Sequence, residues 1–194
     1  MKTPLKLAVA TALALAGGVA VAPAAQAGDF ECRETLGAVT VVGSIIVPDD
    51  ATCALNGTQV EGGIIVKSRA TLVAAGVETT GTISGESPTK VEVRNSTIGN
   101  GVSLSKGGGE QNPSGWLVLA GNSVTGDVQF ADNRVPVTID KNEVGGSIQA
   151  NKNTGGLTVT DNRIVNGLQC QDNTPFPTGG GNIAAQKQGQ CERL

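Results

Sequence analysis

Asn122-Ser123-Val124-Thr125-Gly126-Asp127-Val128-Gln129, Asn142-Glu143-Val144-Gly145-Gly146-Ser147-Ile148-Gln149 and Asn162-Arg163-Ile164-Val165-Asn166-Gly167-Leu168-Gln169 are three copies of nearly one phrase. They recur at a fixed interval of 20 residues. An Asn follows each copy at the same offset (Asn133, Asn153, Asn173), and alternating apolar pairs, Val137/Ile139 and Leu157/Val159, lie between copies. Self-similarity at this period marks a solenoid, in which one repeat is one structural unit that cannot bury its apolar face alone.

The period extends toward the N-terminus. Its apolar pairs are Val41/Ile45, Val60/Ile64, Thr79/Ile83, Ile98/Val102, Val124/Val128, Val144/Ile148 and Ile164/Leu168, with steps of 19, 19, 19, 26, 20 and 20 residues. About seven coils of 19 to 20 residues follow, with one insertion. The long step contains Ser105-Lys106-Gly107-Gly108-Gly109-Glu110-Gln111-Asn112-Pro113-Ser114-Gly115, a Gly/Pro/polar cluster that reads as an enlarged loop over 105–115.

Residue type decides which solenoid this is. Apolar positions two and four apart among Val, Ile and Thr, broken by Gly and Asn every few residues, suit short strands and exclude long helices. A leucine-rich repeat would need a leucine framework, and Leu is sparse. The expected fold is all-β: a single-stranded, right-handed parallel β-helix with three short strands per coil. Gly62, Gly81, Gly126 and Gly146 fall between the paired apolar residues, where a side chain would obstruct the bend from one face to the next.

The first 27 residues read differently. Lys2 and Lys6, the apolar run Leu7 to Ala22, and Ala25-Gln26-Ala27 as a small-residue cleavage site make 1–27 an expected secretory signal peptide. The mature chain, 28–194, is then one domain. Removing the two leader lysines leaves 12 basic against 17 acidic residues, a net charge of −5. With no basic stripe to neutralise phosphates, no Tyr, and only Trp116, Phe30, Phe130 and Phe176 for stacking, nucleic acid is excluded as an expected partner. No membrane association is expected once the leader is removed.

The four cysteines, Cys32, Cys53, Cys170 and Cys191, lie in the mature part of a chain expected to be exported, so disulfides are the default. Coils stack at roughly 4.8 Å per layer, which separates the ends of seven coils by about 30 Å, beyond the roughly 7 Å that a bridge tolerates between Cα atoms. Only Cys32–Cys53 and Cys170–Cys191 remain, one staple at each end. Each closes a loop of about 20 residues, worth on the order of 3 kcal/mol by chain entropy. A metal or redox site would want C-x-x-C spacing or histidine partners, and the chain has no His. No cofactor is expected.

End coils expose strand edges and the open core, which invites end-to-end association. Phe30 and the Cys32 segment are expected to cover the first coil. Residues 174–194 are expected to form a C-terminal cap, with Phe176 between Pro175 and Pro177 as a plug.

The V-x-G-x-V coils, the Leu168-Gln169-Cys170 strand and the tail Pro175-Phe176-Pro177-Thr178-Gly179-Gly180-Gly181-Asn182 with Gln190-Cys191 resemble a group of small secreted β-helix proteins of actinobacteria. The likeness spans nearly the whole mature chain, and the tail is its specific part. The coil motif alone is also similar to bactofilins and other β-solenoids. The resemblance implies a fold and an extracellular location, and brings no catalytic residues with it.

Several polar residues invite a functional interpretation. Asn122, Asn142 and Asn162 share parity with the inward apolar residues and should stack as a ladder, with amides bonded along the axis and to turn carbonyls. Asn133, Asn153 and Asn173 should mark another corner in left-handed backbone. The alternative role for both sets is ion or sugar ligation. Asp127, Asp132, Asp140, Asp161 and Asp172 fall at corners or outward strand positions, with Lys152 expected to pair with Asp132 and Asp172 in adjacent layers. Pectin-degrading enzymes share this architecture, but they concentrate carboxylates in a loop-built cleft. A hydrolase or lyase would need Trp116 and several carboxylates gathered near the 105–115 loop, and a Ca²⁺ site would need ligands at these corners. An ice-binding face would need a threonine row, whereas Thr125, Thr138, Thr158 and Thr160 look scattered. The expected function is a secreted structural or adhesive component at the cell surface or beyond, without catalysis. Its expected partners are cell-wall or extracellular polysaccharide, or further copies of itself. The alternative is a carbohydrate-binding or polysaccharide-processing module.

Overall fold

The computed structural model describes residues 28–109 and 113–194; the expected leader, 1–27, and loop residues 110–112 lie outside the described residues. Every strand pairing is parallel, and no helix occurs among the described residues. The strands form three sheets: sheet A with nine strands, sheet B with eight and sheet C with seven. The chain passes C to A to B once per coil, giving a β-solenoid of about eight turns.

The sequence count of seven matches sheet C. It misses strands at the ends because these lack the apolar pair. Phe30–Glu31 pairs with Ile45–Ile46 ahead of the first counted coil. Thr178–Gly180 and Gln186–Gly189 extend sheets B and A beyond the last, and Ile183 bridges to Arg163 in sheet C. Residues 174–194 therefore build most of a further coil, and the segment closing it is Cys191–Leu194. Phe176 is 67% exposed and plugs nothing; Pro177, Asn182, Cys191 and Leu194 are the buried residues there. Phe30, in register with Ile45 but with no layer beyond it, stays 37% exposed.

Period-2 alternation fills the interior. Val124, Val144 and Ile164 stack in consecutive strands of sheet C, all buried. In sheet A the column Val66, Gly85, Leu104, Phe130, Ala150 and Cys170 lines the core in register. Parallel stacking repeats each inward position in the next layer, so rows of Val, Ile and Leu close the core with one buried aromatic ring, Phe130. The bridges Cys32–Cys53 and Cys170–Cys191 clamp the two ends, with Cα separations of 5.5 and 5.2 Å.

The step from 19 to 20 residues has one location. From sheet A to sheet B, Ile64 to Leu72 is eight positions, Val128 to Val137 is nine, and Val102 to Leu117 is fifteen. The turns from B to C keep their length throughout, and those from C to A do so until the last coil, where the bridge of Ile183 to Arg163 and the pairing of Lys187 with Leu168 leave the turn one residue shorter. The large length variation, the 105–115 loop included, is thus confined to the A-to-B edge of the solenoid.

The glycines of the C-to-A turn are required by contact with the layer before. A Cβ on Gly81 would lie 2.7 Å from the Gly62 carbonyl carbon, and one on Gly146 would lie 2.7 Å from that of Gly126, inside any real carbon–carbon contact. Residues other than glycine adopt left-handed backbone at the two other corners instead, among them Arg69, Lys106, Asp132, Lys152 and Asp172 on the A-to-B edge and Asn95, Lys141 and Asp161 on the B-to-C edge.

Candidate functional site

Asn122, Asn142 and Asn162 point into the core at the B-to-C corner, and Asn182 continues the column. Each Oδ1 accepts twice from the Asn before it, from the main-chain N–H and from Nδ2. Asn142 Oδ1, for example, lies 3.0 Å from both Asn122 atoms. The second Nδ2 proton goes to a strand carbonyl, Val93, Leu119, Ile139 or Val159. Ser96 extends the ladder upward by donating its main-chain N–H to Asn122 Oδ1. Sequence reasoning missed Asn182 because the glycines around it hid the period.

Asn133, Asn153 and Asn173 form a second buried ladder at the A-to-B corner, closed below by the Gln190 Oε1 acceptor. Their expected left-handed backbone belongs to the preceding residues, Asp132, Lys152 and Asp172. The left-handed residue turns the chain so that the following Asn points inward, where its amide is consumed. No side-chain nitrogen or oxygen is buried without a partner among the described residues. Both ladders therefore complete the backbone bonding of the turns, and neither offers free ligand atoms.

The acidic corners hold no cluster. Asp132, Lys152 and Asp172 stack, but no ion pair joins them among the described residues. Pairing falls on the neighbouring edge, where Lys141 meets Asp140 at 3.1 Å and Asp161 at 3.6 Å in the open. Such exposed pairs contribute little. Among the described residues no three His, Cys, Asp or Glu side chains come together to hold a metal ion. The threonines are less scattered than they look: Thr138, Thr158 and Thr178 form one column on sheet B, with Thr158 Oγ1 3.2 Å from Thr178 Oγ1. Their second neighbours, Asp140, Thr160 and Gly180, do not continue a threonine array.

Two features remain, both built by the loop edge. The first is a groove of about 950 Å³ along the A-to-B corner, lined by Arg69, Ser87, Thr89, Lys106, Asp132 and Arg134 among others. Its cations are engaged: Arg69 forms two 2.7 Å bonds to Asp50, Lys106 meets Glu86 at 2.6 Å, and Arg134 donates to the Gly109 carbonyl. The second feature sits where the loop rejoins sheet B. Gly115 has φ of +119°, and a Cβ there would lie 1.9 Å from the Thr89 carbonyl oxygen. Only glycine lets the chain press against Thr89 and start the next strand with Trp116 outward, beside Lys90.

Trp116 is 44% exposed. Lys90 Nζ stands 4.2 Å from its ring centroid, and its Nε1 donates to Glu92 Oε2 at 3.2 Å. Arg94 Nε donates to Glu92 Oε1 at 2.7 Å, and Lys90 Nζ is 3.2 Å from Oε2. The Arg94 hydrogen bond, joined by those of Trp116 and Lys90, outweighs partial burial and holds the Glu92 carboxyl down at about 2. The arrangement gathers one carboxylate, not several, and lies beside the groove rather than in it. It is a half-exposed aromatic ring with a cation over its face and a carboxylate at its edge, joined by charge-assisted hydrogen bonds.

A prediction follows from the sign of that shift. A carboxyl depressed in the folded state stabilises above its ordinary value of 4.5 and loses that contribution as pH falls through about 2. Trp116 is the only tryptophan, so its emission reports the cluster. Emission should hold steady from about pH 7 to about pH 4 and change with a midpoint near 2, and Glu92→Gln should flatten that change. A midpoint near 4.5 in the wild type would mean that the cluster is open in solution.

No family model, curated protein or solved structure matches this chain.

Proposed function

We propose that the protein is a secreted structural or adhesive solenoid acting at or beyond the cell surface, binding through its flat outer faces without catalysing a reaction. The observation that carries this reading is the division of its polar groups. Buried amides are wholly consumed by the two ladders, and the carboxylate beside Trp116, Glu92, is fixed in its ionised form by three donors. A group held that low is a poor general acid at neutral pH, and among the described residues no second carboxylate stands by it. Paired cysteines at both ends suit an oxidising compartment, and no helix among the described residues is long and apolar enough to cross a membrane. The leader-like residues 1–27 and the tail's resemblance to small secreted actinobacterial β-helices support export.

A second reading, a carbohydrate-binding module centred on Trp116, is favoured by that ring's exposure and its fixed polar rim. The test for both is incubation of the mature, oxidised protein with insoluble cell-wall and plant polysaccharides. Retention on the solid without release of reducing or unsaturated ends is expected. Steady product release would replace the adhesive reading with an enzymatic one, and loss of retention in Trp116→Ala would favour the second reading.

A further inference from the structure

Sheet A carries an outward column that no other face has. Gln129, Gln149, Gln169 and Gln188 stand in register in four successive layers, with Asn151 and Gln171 beside them in the next outward column. In the N-terminal half the same column reads Ile46, Ile65, Ser84 and Ser103, so the amides are confined to the C-terminal layers. These amides differ from the buried asparagines in one respect. Among the described residues, the side chains of Gln129, Gln149 and Gln169 make no hydrogen bond within the protein. Gln188 donates only to Gln186. A shallow cavity of about 350 Å³ opens over the lower end of the column, between Gln149, Gln169, Gln186, Gln188 and Asn166, with Leu168 in its wall.

We propose that this glutamine face is a binding site for a neutral polysaccharide chain running along the stacking axis. The proposal rests on the adhesive reading and names its ligand. Each primary amide offers two donors and an acceptor, and a sugar hydroxyl is itself both, so one residue type in every layer meets one repeating ligand. The face carries almost no charge: Asp127, at its upper margin, is spent on the Ser147 N–H at 2.7 Å. At the A-to-B margin Lys152 stacks between Asp132 and Asp172, so an acidic polymer would meet one cation flanked by two carboxylates. A protein partner would want a central aromatic or aliphatic anchor, and the column holds none. The cavity is at the small end of ligand sites and fits a sugar unit or two.

The experiment compares retention on microcrystalline cellulose, as the neutral probe, and on insoluble cross-linked polygalacturonate, as the acidic one. The proteins are the wild type, Gln149→Ala/Gln169→Ala, Gln149→Glu/Gln169→Glu and Trp116→Ala, with light scattering on each. Outward substitutions on a stapled sheet leave the fold intact, and circular dichroism checks this. The wild type should bind cellulose with little dependence on salt. Both glutamine variants should bind about tenfold more weakly or worse, since two residues' hydrogen bonds are lost. Unchanged binding by all the variants, Trp116→Ala included, would overturn this site and leave the adhesive reading standing, and loss in Trp116→Ala alone would overturn it in favour of the second reading. Wild-type protein retained on neither solid would overturn both. Salt-sensitive preference for polygalacturonate, or a change of mass with unchanged retention in the glutamine variants, would also overturn it, the latter by making the face a contact between copies.

Discussion

Asn142→Ala should lower the stability of the fold by about 4 kcal/mol, the sum of several orphaned groups each costing about 1 to 3. The truncation leaves the main-chain N–H of Asn122 and one of its Nδ2 protons without their shared acceptor, and leaves the Leu119 carbonyl without its donor. All lie in the core, where water cannot take their place. The loss should appear in thermal unfolding as a midpoint roughly 10 °C lower for a domain of this size. Asn166→Ala, on the exposed surface of the next repeat, should change stability by less than about 0.5 kcal/mol. A loss at Asn142 no greater than that of Asn166 would mean that the amides occupy the corner without holding it.

The ladder also shows what could be read in the chain beforehand. The 20-residue period of Asn122, Asn142 and Asn162, together with their parity with Val124, Val144 and Ile164, was enough to place them inside, because parallel stacking carries every inward position into the next layer unchanged. The disulfides followed from the same stacking, since distance along the axis left one pairing. End effects were not legible in this way. Phe176 looked like a plug because prolines flank it, but whether a terminal ring folds inward depends on tertiary contacts with Cys191 and Leu194. The threonine and glutamine columns were legible by the same interval, Thr138/Thr158/Thr178 and Gln129/Gln149/Gln169, because outward positions repeat from layer to layer as inward ones do; Gln188 alone departs from it, 19 residues after Gln169. The Trp116 cluster draws Lys90, Glu92 and Arg94 from the layer before the loop, and no spacing rule spans an insertion of unknown path.

Core shape, as distinct from core position, gives the other large expected effect. In the sheet A column, layer by layer, Gly85 is followed by Leu104, Phe130, Ala150 and Cys170. Phe130 is the largest fully buried side chain, and the small Ala150 follows it as Gly85 precedes Leu104. A Cβ on Gly85 would already lie 3.1 Å from Leu104 Cδ2, so the large side chains lean toward the small neighbours that make room for them. Phe130→Ala should therefore destabilise the fold by about 3 to 5 kcal/mol, the transfer term plus an uncollapsed cavity, because the stacked backbones above and below cannot close the gap. Urea unfolding measures this. Moving the ring down one layer, as Phe130→Ala/Ala150→Phe, keeps the total volume and should recover part of the loss. A double variant less stable than Phe130→Ala alone would show that the column's order of sizes, and not its summed volume, sets the packing. Full recovery would show that the narrow core reads only volume and that any layer can house the ring.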